Sequence, residues 1–237
     1  MRRIAALVPA SQAAAHLGDV LTRITRILPD LPVLVVDDGS RDATAEVGRM
    51  FGGRVHSFAA NRGKGYALLA GFDLLREYDG VVTLDADGQH PPECIPSFIA
   101  AFDESTDLVL GARARTLDMP AARRFANAMS SGWATAMAGQ RISDSQSGFR
   151  LYGRRLLERT PITPGRYEVE TEVAVRAARL GFKLREVEIP TIYGAEKSQI
   201  SAFRDVPRIG GTLLRLTLEG VLQPGSMRAA RAAAEPR

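Results

Sequence analysis

The feature that most constrains the fold is an alternation of short apolar runs with longer amphipathic segments. Val33–Val36 and Val81–Leu84 are continuous apolar runs of strand-forming residues, as expected for strands that are covered on both faces. The segment 17–28 instead places Leu, Val and Ile at intervals of three and four residues, which predicts an amphipathic helix. Strands alternating with helices at this spacing predict an α/β fold, in which a mostly parallel, doubly wound sheet carries helices on both faces.

The same patterns predict the individual elements along the chain. Strands are expected at Ile4–Val8, Val33–Val36, Arg54–Phe58, Val81–Leu84, Asp107–Leu110 and Lys183–Ile189. Helices are expected at 17–28, Asp42–Phe51, Gly65–Tyr78, Pro92–Phe102, Ala121–Met137, Val169–Leu180 and Phe203–Leu222, and Ser143–Tyr152 is expected to be a loop that leads into a short strand. Because we find no internal repeat and no linker, we predict one domain over residues 1–222 and a flexible tail over 223–237.

Composition excludes several classes of protein. The 237 residues carry 31 Lys+Arg and 27 Asp+Glu, a net charge of +4, and no basic block is interleaved with aromatic residues, so we expect no nucleic-acid partner. The single cysteine, Cys94, excludes an internal disulfide framework and a multi-cysteine zinc site. No run of about 18 apolar residues is present, so no membrane-spanning helix is expected. We read Ile4–Val8 as a first strand rather than a secretory signal, and therefore expect a cytoplasmic protein.

The most informative polar cluster is Asp85-Ala86-Asp87-Gly88-Gln89-His90, directly after the predicted strand Val81–Leu84. The carboxyl ends of parallel strands meet at one edge of the sheet, where ligands bind in folds of this type. Two neighbouring carboxylates repel each other, and a divalent cation relieves that repulsion. Oxygen ligands favour Mg²⁺ or Mn²⁺ over zinc, with substrate phosphates completing the site. For His90, both a position over the metal and a plain turn histidine with one backbone hydrogen bond are open.

Two further clusters are expected at the same edge. Asp37 and Asp38 follow the predicted strand Val33–Val36 and suit ribose hydroxyls or a base edge, whereas Ser40 and Asp42 are explained equally well as helix caps. Lys64, in the segment Asn61-Arg62-Gly63-Lys64-Gly65, precedes a helix, where backbone amides and an ammonium group can hold a diphosphate. The spacing of a Walker A motif is absent.

In combination, these motifs resemble glycosyltransferase family 2. The order is V-V-D-D-G-S-x-D-x-T, N-x-G-K-G, D-A-D-G-Q-H-P-P-E, G-x-R, D-x-Q-S-G-F-R-L-Y and Y-E-x-E-T-E, within residues 4 to 206. The chain is most similar to the branch of dolichyl-phosphate mannose synthases and bacterial polyprenyl-phosphate glycosyltransferases. The resemblance implies a GT-A fold and a metal-dependent, inverting transfer of a hexose from a GDP- or UDP-linked donor to a polyprenyl phosphate.

The resemblance also assigns roles to residues of this sequence. It implies that the metal ligands are Asp85, Asp87 and Gln89, and that the catalytic residues are Asp87, Gln89 and Arg113. The nucleotide sugar would be bound by Pro9, Ala10, Asp37, Asp38, Lys64, Asp85 and Ala86. The acceptor phosphate would be bound by Arg113, Arg123, Arg124, Asn127, Gln146 and Ser147.

The chain departs from the family pattern after its first strand. Family 2 members usually carry P-x-Y-N-E-E there, whereas this chain has Pro9-Ala10-Ser11-Gln12-Ala13-Ala14, without an acidic residue. Three other functions stay open. The first is transfer to a saccharide or other hydroxyl, with a carboxylate base such as Glu170. The second, which the altered segment motivates, is a non-catalytic nucleotide-sugar-binding protein. The third, a sugar-phosphate nucleotidyltransferase, is disfavoured because its glycine-rich first loop is absent.

A lipid acceptor raises the question of membrane contact. The predicted helix Phe203–Leu222 combines apolar residues with arginines, which is typical of a helix lying in a leaflet surface. Packing of the same helix on the sheet explains the pattern equally well. We expect peripheral association with the cytoplasmic membrane face.

Overall fold

The computed structural model describes residues 2–113, 121–163 and 169–192, together with residues 211 and 217. The strands are β1 (Ile4–Ala10), β2 (Val33–Asp37), β3 (Arg54–Ser57), β4 (Gly80–Thr83), β5 (Leu108–Arg113), β6 (Arg150–Gly153) and β7 (Leu184–Ile189). The helices are α1 (Ala14–Ile27), α2 (Thr44–Met50), α3 (Lys64–Leu74), α4 (Ile95–Ala101), α5 (Ala121–Ala138), α6 (Arg154–Arg159) and α7 (Val169–Arg179). A 3₁₀ turn, Pro92–Cys94, precedes α4.

These strands form one sheet in the described part of the chain, in the order β3-β2-β1-β4-β6-β5-β7. All neighbouring pairs are parallel except those of β6, which is antiparallel to both β4 and β5. The prediction of a mostly parallel α/β sheet is confirmed. The expectation that every strand ends at one edge is wrong for β6, because this strand starts where the parallel strands end.

The apolar residues of the strands alternate between two cores, one on each face of the sheet. Ala5 and Leu7 pack with α3, α5, α6 and α7 on one face. Ile4, Ala6 and Val8 pack with α1 and α4 on the other. Helices on both faces bury β1 completely at its centre, which explains why its sequence is a continuous apolar run rather than an alternating one.

Most of the predicted elements are confirmed, with ends that differ by up to about three residues, and three differences are larger. The helix expected at Gly65–Tyr78 ends at Leu74, and the one expected at Pro92–Phe102 is divided into a 3₁₀ turn and α4. Helix α6 has no counterpart in the prediction, because its six residues are too few to display a helical period. The predicted helix Phe203–Leu222 and the tail 223–237 lie outside the described residues, apart from the two isolated positions.

No helix in the described part of the chain is both long and apolar enough to cross a membrane.

Candidate active site

The candidate site lies where β1, β2, β4 and β5 end and β6 begins. We call this side of the molecule the carboxyl edge. Ala10 at the end of β1 pairs with Asp37 at the end of β2, and Thr83 at the end of β4 pairs with Arg150 at the start of β6. The parallel strands therefore bring Pro9, Ala10, Asp37 and the segment after β4 to one edge. The antiparallel β6 adds the loop 143–149 to the same edge.

Asp85 forms an ion pair with a lysine that is largely shielded from solvent. The Lys64 Nζ lies 2.6 Å from Asp85 Oδ1 and 2.7 Å from Glu170 Oε1. Burial opposes ionisation of Asp85, but the charge of Lys64 outweighs it and lowers the pKa of Asp85 to about 2. Burial likewise opposes the charge on Lys64, and the two carboxylates raise its pKa well above the usual range. Lys64, at the first residue of α3, thus forms an ionised bridge between two acids.

Asp87 lies beside this bridge, in the turn after Asp85. Its Oδ1 accepts a hydrogen bond from the backbone N–H of Gln89 at 2.9 Å. Burial, and then the negative charge of Asp85, raise the pKa of Asp87. The two carboxylates therefore repel each other as the sequence predicts, and a cation between them would relieve that repulsion.

His90 is a buried neighbour of the same turn. Its Nδ1 accepts a hydrogen bond from the backbone N–H of Asp85 at 3.1 Å, and its ring lies on that of Phe149 with centroids 5.5 Å apart. Burial lowers the pKa of His90, and the Nδ1 atom that accepts the backbone hydrogen bond carries no proton. Of the two interpretations of this residue, the backbone hydrogen bond is confirmed.

Asp37 and Asp38 are both buried, and their carboxylates accept hydrogen bonds from backbone N–H groups. Asp38 accepts hydrogen bonds from the backbone N–H groups of Arg62 at 2.7 Å and of Gly63 at 2.8 Å, one on each oxygen. Asp37 Oδ1 accepts one from Ser40 at 3.1 Å. Asp38 therefore positions the loop that ends at Lys64, a task that the sequence did not reveal because the partners are 24 and 25 residues away.

The unusual segment after β1 is tied to the loop after β2. Gln12 Oε1 accepts hydrogen bonds from the backbone N–H groups of Arg41 (2.7 Å) and Asp42 (3.3 Å), and its own N–H donates to Ser40 Oγ at 2.9 Å. Within the described ranges, Gln12 is the one non-glycine residue with a positive φ, at 53°. A strained residue with three such bonds indicates a fixed loop.

Asp42 acts as a cap, as one of the two interpretations predicts. Its Oδ1 accepts a hydrogen bond from the backbone N–H of Thr44, which opens α2, and its Oδ2 accepts one from Ala14, which opens α1. Both bonds are 3.1 Å long. One carboxylate thus accepts a hydrogen bond from one of the first backbone N–H groups of each of two helices.

Arg113, at the end of β5, forms an ion pair with Asp144. Its Nε and Nη2 donate to separate carboxylate oxygens at 2.6 and 3.0 Å. Asp144 also accepts hydrogen bonds from the backbone N–H groups of Gln146 (3.3 Å) and Ser147 (3.1 Å). Burial opposes ionisation of Asp144, but Arg113 outweighs it and lowers the pKa. Asp144 therefore joins three of the residues that the resemblance assigns to the acceptor phosphate.

Arg150 is a residue of this region that sequence reasoning missed. It is completely buried in β6 and donates to the backbone carbonyl oxygens of Ser147 and Ser145, both at 2.7 Å, and to that of Glu170. A buried guanidinium requires such partners. The signal was an arginine inside the otherwise apolar stretch F-R-L-Y. Arg150 fixes the loop 143–149 relative to the start of α7.

Of the remaining predicted residues, the structure describes the side chain of one and not those of the other three. Ala86 lies between Asp85 and Asp87 and is buried. The side chains of Arg123, Arg124 and Asn127, on α5, lie outside the described part of the chain.

Among the described residues, no three His, Cys, Asp or Glu side chains converge into a preformed metal site. The acidic pair offers at most an open half-site, to which a bound phosphate would have to contribute further oxygen ligands.

Comparison with known proteins identifies the family. The model of glycosyl transferase family 2 matches residues 6–162. The chain belongs to glycosyltransferase family 2. It is 31% identical, over 86% of its length, to a dolichyl-phosphate hexose transferase of Haloferax volcanii, of which 89% is covered. An undecaprenyl-phosphate mannosyltransferase of Micrococcus luteus is 31% identical, with 79% of this chain and 82% of that protein covered. A polyprenol monophosphomannose synthase of Mycolicibacterium smegmatis is 30% identical, with 79% and 77% covered.

Solved structures confirm the GT-A fold of this family 2 glycosyltransferase. A glucosyl-3-phosphoglycerate synthase of Mycobacterium tuberculosis, crystallised with Mn²⁺, uridine diphosphate and phosphoglyceric acid, superimposes with a TM-score of 0.73. The two chains are 21% identical, and the match covers 92% of this chain and 78% of that one. The GT-A expectation is therefore confirmed, and the family match confirms the identification as a glycosyltransferase.

Proposed function

We propose that the protein transfers a hexose from a nucleoside diphosphate sugar to a polyprenyl phosphate, with inversion at the anomeric carbon. One observation carries this proposal. The loop 143–149 binds Arg113 through Asp144 at one end and lies against Asp85 through Gly148 at the other. Arg113 and Asp85 are thus both in contact with one loop at the carboxyl edge, and the curated relatives act on polyprenyl phosphates by name.

Asp85 and Asp87, with Gln89 beside them, are the residues that would hold Mg²⁺ or Mn²⁺. The repulsion between the two carboxylates and their oxygen chemistry fit such an ion. When bound, the ion would neutralise the charge that develops on the leaving nucleoside diphosphate. Pro9, Ala10 and Asp37 lie at the adjacent ends of β1 and β2, where they would contact the nucleoside, and Lys64 provides a positive charge beside the diphosphate.

Arg113 would orient the acceptor. A phosphate monoester is already anionic at neutral pH, so the acceptor needs positioning rather than deprotonation. Arginine suits this task because its planar guanidinium has five N–H donors, so that it can bind Asp144 through Nε and Nη2 and hold the phosphate at its other edge, leaving another phosphate oxygen to attack. Gln146 and Ser147 belong to the loop that Asp144 fixes, and Arg123, Arg124 and Asn127 would complete the acceptor side.

The hydroxyl-acceptor alternative is less well supported. It requires a carboxylate base, such as Glu170, to take a proton from an external hydroxyl. Glu170 is 2% exposed and its Oε1 is bound to Lys64 at 2.7 Å, so it is not presented to an acceptor.

The test is a transfer assay with purified full-length protein. GDP-mannose, GDP-glucose and UDP-glucose, each radiolabelled on the sugar, are incubated with undecaprenyl phosphate and Mn²⁺ or Mg²⁺, and radioactivity is measured in the organic phase. We expect a lipid-linked product from one donor, with inverted anomeric configuration by NMR. Transfer only to soluble saccharides, or no transfer with an intact nucleotide site, would contradict the proposal. Flotation with anionic liposomes tests the proposed peripheral association.

A further inference from the structure

Lys64 occupies an oxygen atom that the proposed metal site needs. Its ammonium group is 2.6 Å from Asp85 Oδ1, the closest polar contact of that carboxylate, and its side chain is only 17% exposed. Two cations that share one carboxylate oxygen repel each other strongly at this distance. In the absence of ligands, the protein therefore carries its own counter-ion at Asp85.

Glu170 provides a second place for the same ammonium. Its Oε1 lies 2.7 Å from Lys64 Nζ, and its Oε2 is buried without a hydrogen-bond partner among the described residues. Arg150 holds the backbone of Glu170 in place. Lys64 can thus leave Asp85 and keep one carboxylate contact, which reduces the penalty for moving a buried charge.

Gly148 supplies the space for this arrangement. A Cβ atom there would lie 2.6 Å from Lys64 Nζ and 3.1 Å from each carboxylate oxygen of Asp85. The loop 143–149 therefore approaches the ion pair as closely as its backbone allows, and Lys64 has a four-carbon stem that is flexible enough to move towards a nearby anion.

We propose that Lys64 is a built-in counter-ion that makes divalent-cation binding at Asp85 depend on the donor diphosphate, with Glu170 as the positioning residue that holds Lys64. The proposal rests on the proposed function for the identity of the site. The diphosphate attracts the ammonium group away from Asp85, and the freed oxygen then binds the cation. Metal and nucleotide consequently bind cooperatively. Without nucleotide, the metal ion binds the acidic pair only weakly.

Direct binding measurements test this proposal without any transfer reaction. Mn²⁺ affinity is measured by electron paramagnetic resonance, and the affinities for UDP and GDP are measured separately by calorimetry without metal. In Lys64→Met we expect Mn²⁺ alone to bind about 5- to 10-fold more tightly and the preferred nucleotide to bind more weakly by a similar factor. Lys64→Arg should keep weak Mn²⁺ binding. The matched control is Lys183→Met, an exposed lysine just before β7 at the opposite edge, which should match the wild type.

The directions of these changes separate the proposal from a structural role. If Lys64 merely supported the fold, Lys64→Met would weaken both ligands, and that result would overturn the proposal. Without nucleotide, Glu170→Gln should bind Mn²⁺ several-fold more weakly than the wild type, because Asp85 is then the remaining carboxylate partner of Lys64 in this pair. Unchanged or tighter binding in Glu170→Gln also overturns it, and this isosteric variant serves if Lys64→Met does not fold.

The outcome is independent of the transfer assay. Opposite shifts in the two affinities without any sugar transfer would refute the proposed function and leave the counter-ion in place. Transfer by the wild type with no tightening of Mn²⁺ binding in Lys64→Met would refute the counter-ion alone. Absence of Mn²⁺ binding to the wild type, with and without nucleotide, overturns the counter-ion proposal.

Discussion

The guanidinium of Arg113 binds the two carboxylate oxygens of Asp144 through two hydrogen bonds, from Nε at 2.6 Å and from Nη2 at 3.0 Å. The two residues are 31 positions apart in the chain. The pair fixes the plane of the arginine that we assign to the acceptor phosphate, and it anchors the loop that carries Gln146 and Ser147. The orientation of the Arg113 guanidinium, and not only its charge, therefore defines the proposed acceptor side of the site.

Arg113→Lys is expected to lower kcat/KM for the lipid phosphate about tenfold or more, although the charge is kept. A lysine cannot make the two-pronged contact that the guanidinium makes with Asp144. Hydrogen bonds to charged groups contribute about 1.5–3 kcal/mol. The assay is the lipid transfer reaction. Arg185→Lys, which alters an exposed pair with Asp103 at 2.9 Å, is the matched control and should retain activity. An Arg113→Lys enzyme with wild-type kinetics would remove Arg113 from the acceptor site.

Acid stability should depend on Asp85. The pKa of this group is lowered from 3.8 to about 2 in the folded protein. A lowered pKa contributes stability at pH values above 3.8, and this contribution is lost as the pH falls from there through about 2. We expect the free energy of unfolding, measured with urea in EDTA, to fall less steeply over this window in Asp85→Asn than in the wild type. Parallel pH profiles would show that the Lys64–Asp85 pair does not stabilise the metal-free protein.

Gln12 should matter through both its side chain and its backbone. Gln12→Ala loses two side-chain hydrogen bonds and keeps the positive φ of 53°, so we expect destabilisation of about 1–2 kcal/mol. Gln12→Gly loses the same bonds but is not strained at that φ, and it should recover part of this loss. Urea titration of the three proteins is the measurement. If the glycine variant were the less stable of the two, the strain would be refuted.

Gly148→Ala should be damaging although Gly148 does not have a positive φ. The new Cβ would lie within 3.1 Å of both Asp85 oxygens, so the ion pair with Lys64 must shift, at about 1–3 kcal/mol. Gly132→Ala is the matched control, because a Cβ there meets nothing within 4 Å and helix α5 favours alanine. The two variants are compared by thermal unfolding and transfer rate. Equal behaviour of both would contradict the close approach of the loop to Asp85.

Much of the fold follows from local patterns. The buried strands β1, β2 and β4 are predictable because continuous apolar runs bounded by polar residues have few other interpretations. Their carboxyl ends meet at one edge in any parallel sheet, and this alone places Asp37 and Asp85 on the same side of the molecule. The antiparallel direction of β6 was not predictable, since a strand of four residues has the same apolar pattern in either direction.

The sequence alone determined the family, the α/β class and the edge at which the acidic clusters lie, because residue type and spacing are local properties. Tertiary structure decided which charges meet. Lys64 pairs with Asp85 and Glu170 rather than facing solvent, and Asp38 binds a backbone N–H group 24 residues away. Arg113 meets Asp144 only because the antiparallel strand β6 begins at the carboxyl edge, so that the loop before it lies there. Such pairings depend on the order and direction of strands in the sheet, and no short stretch of sequence encodes that order.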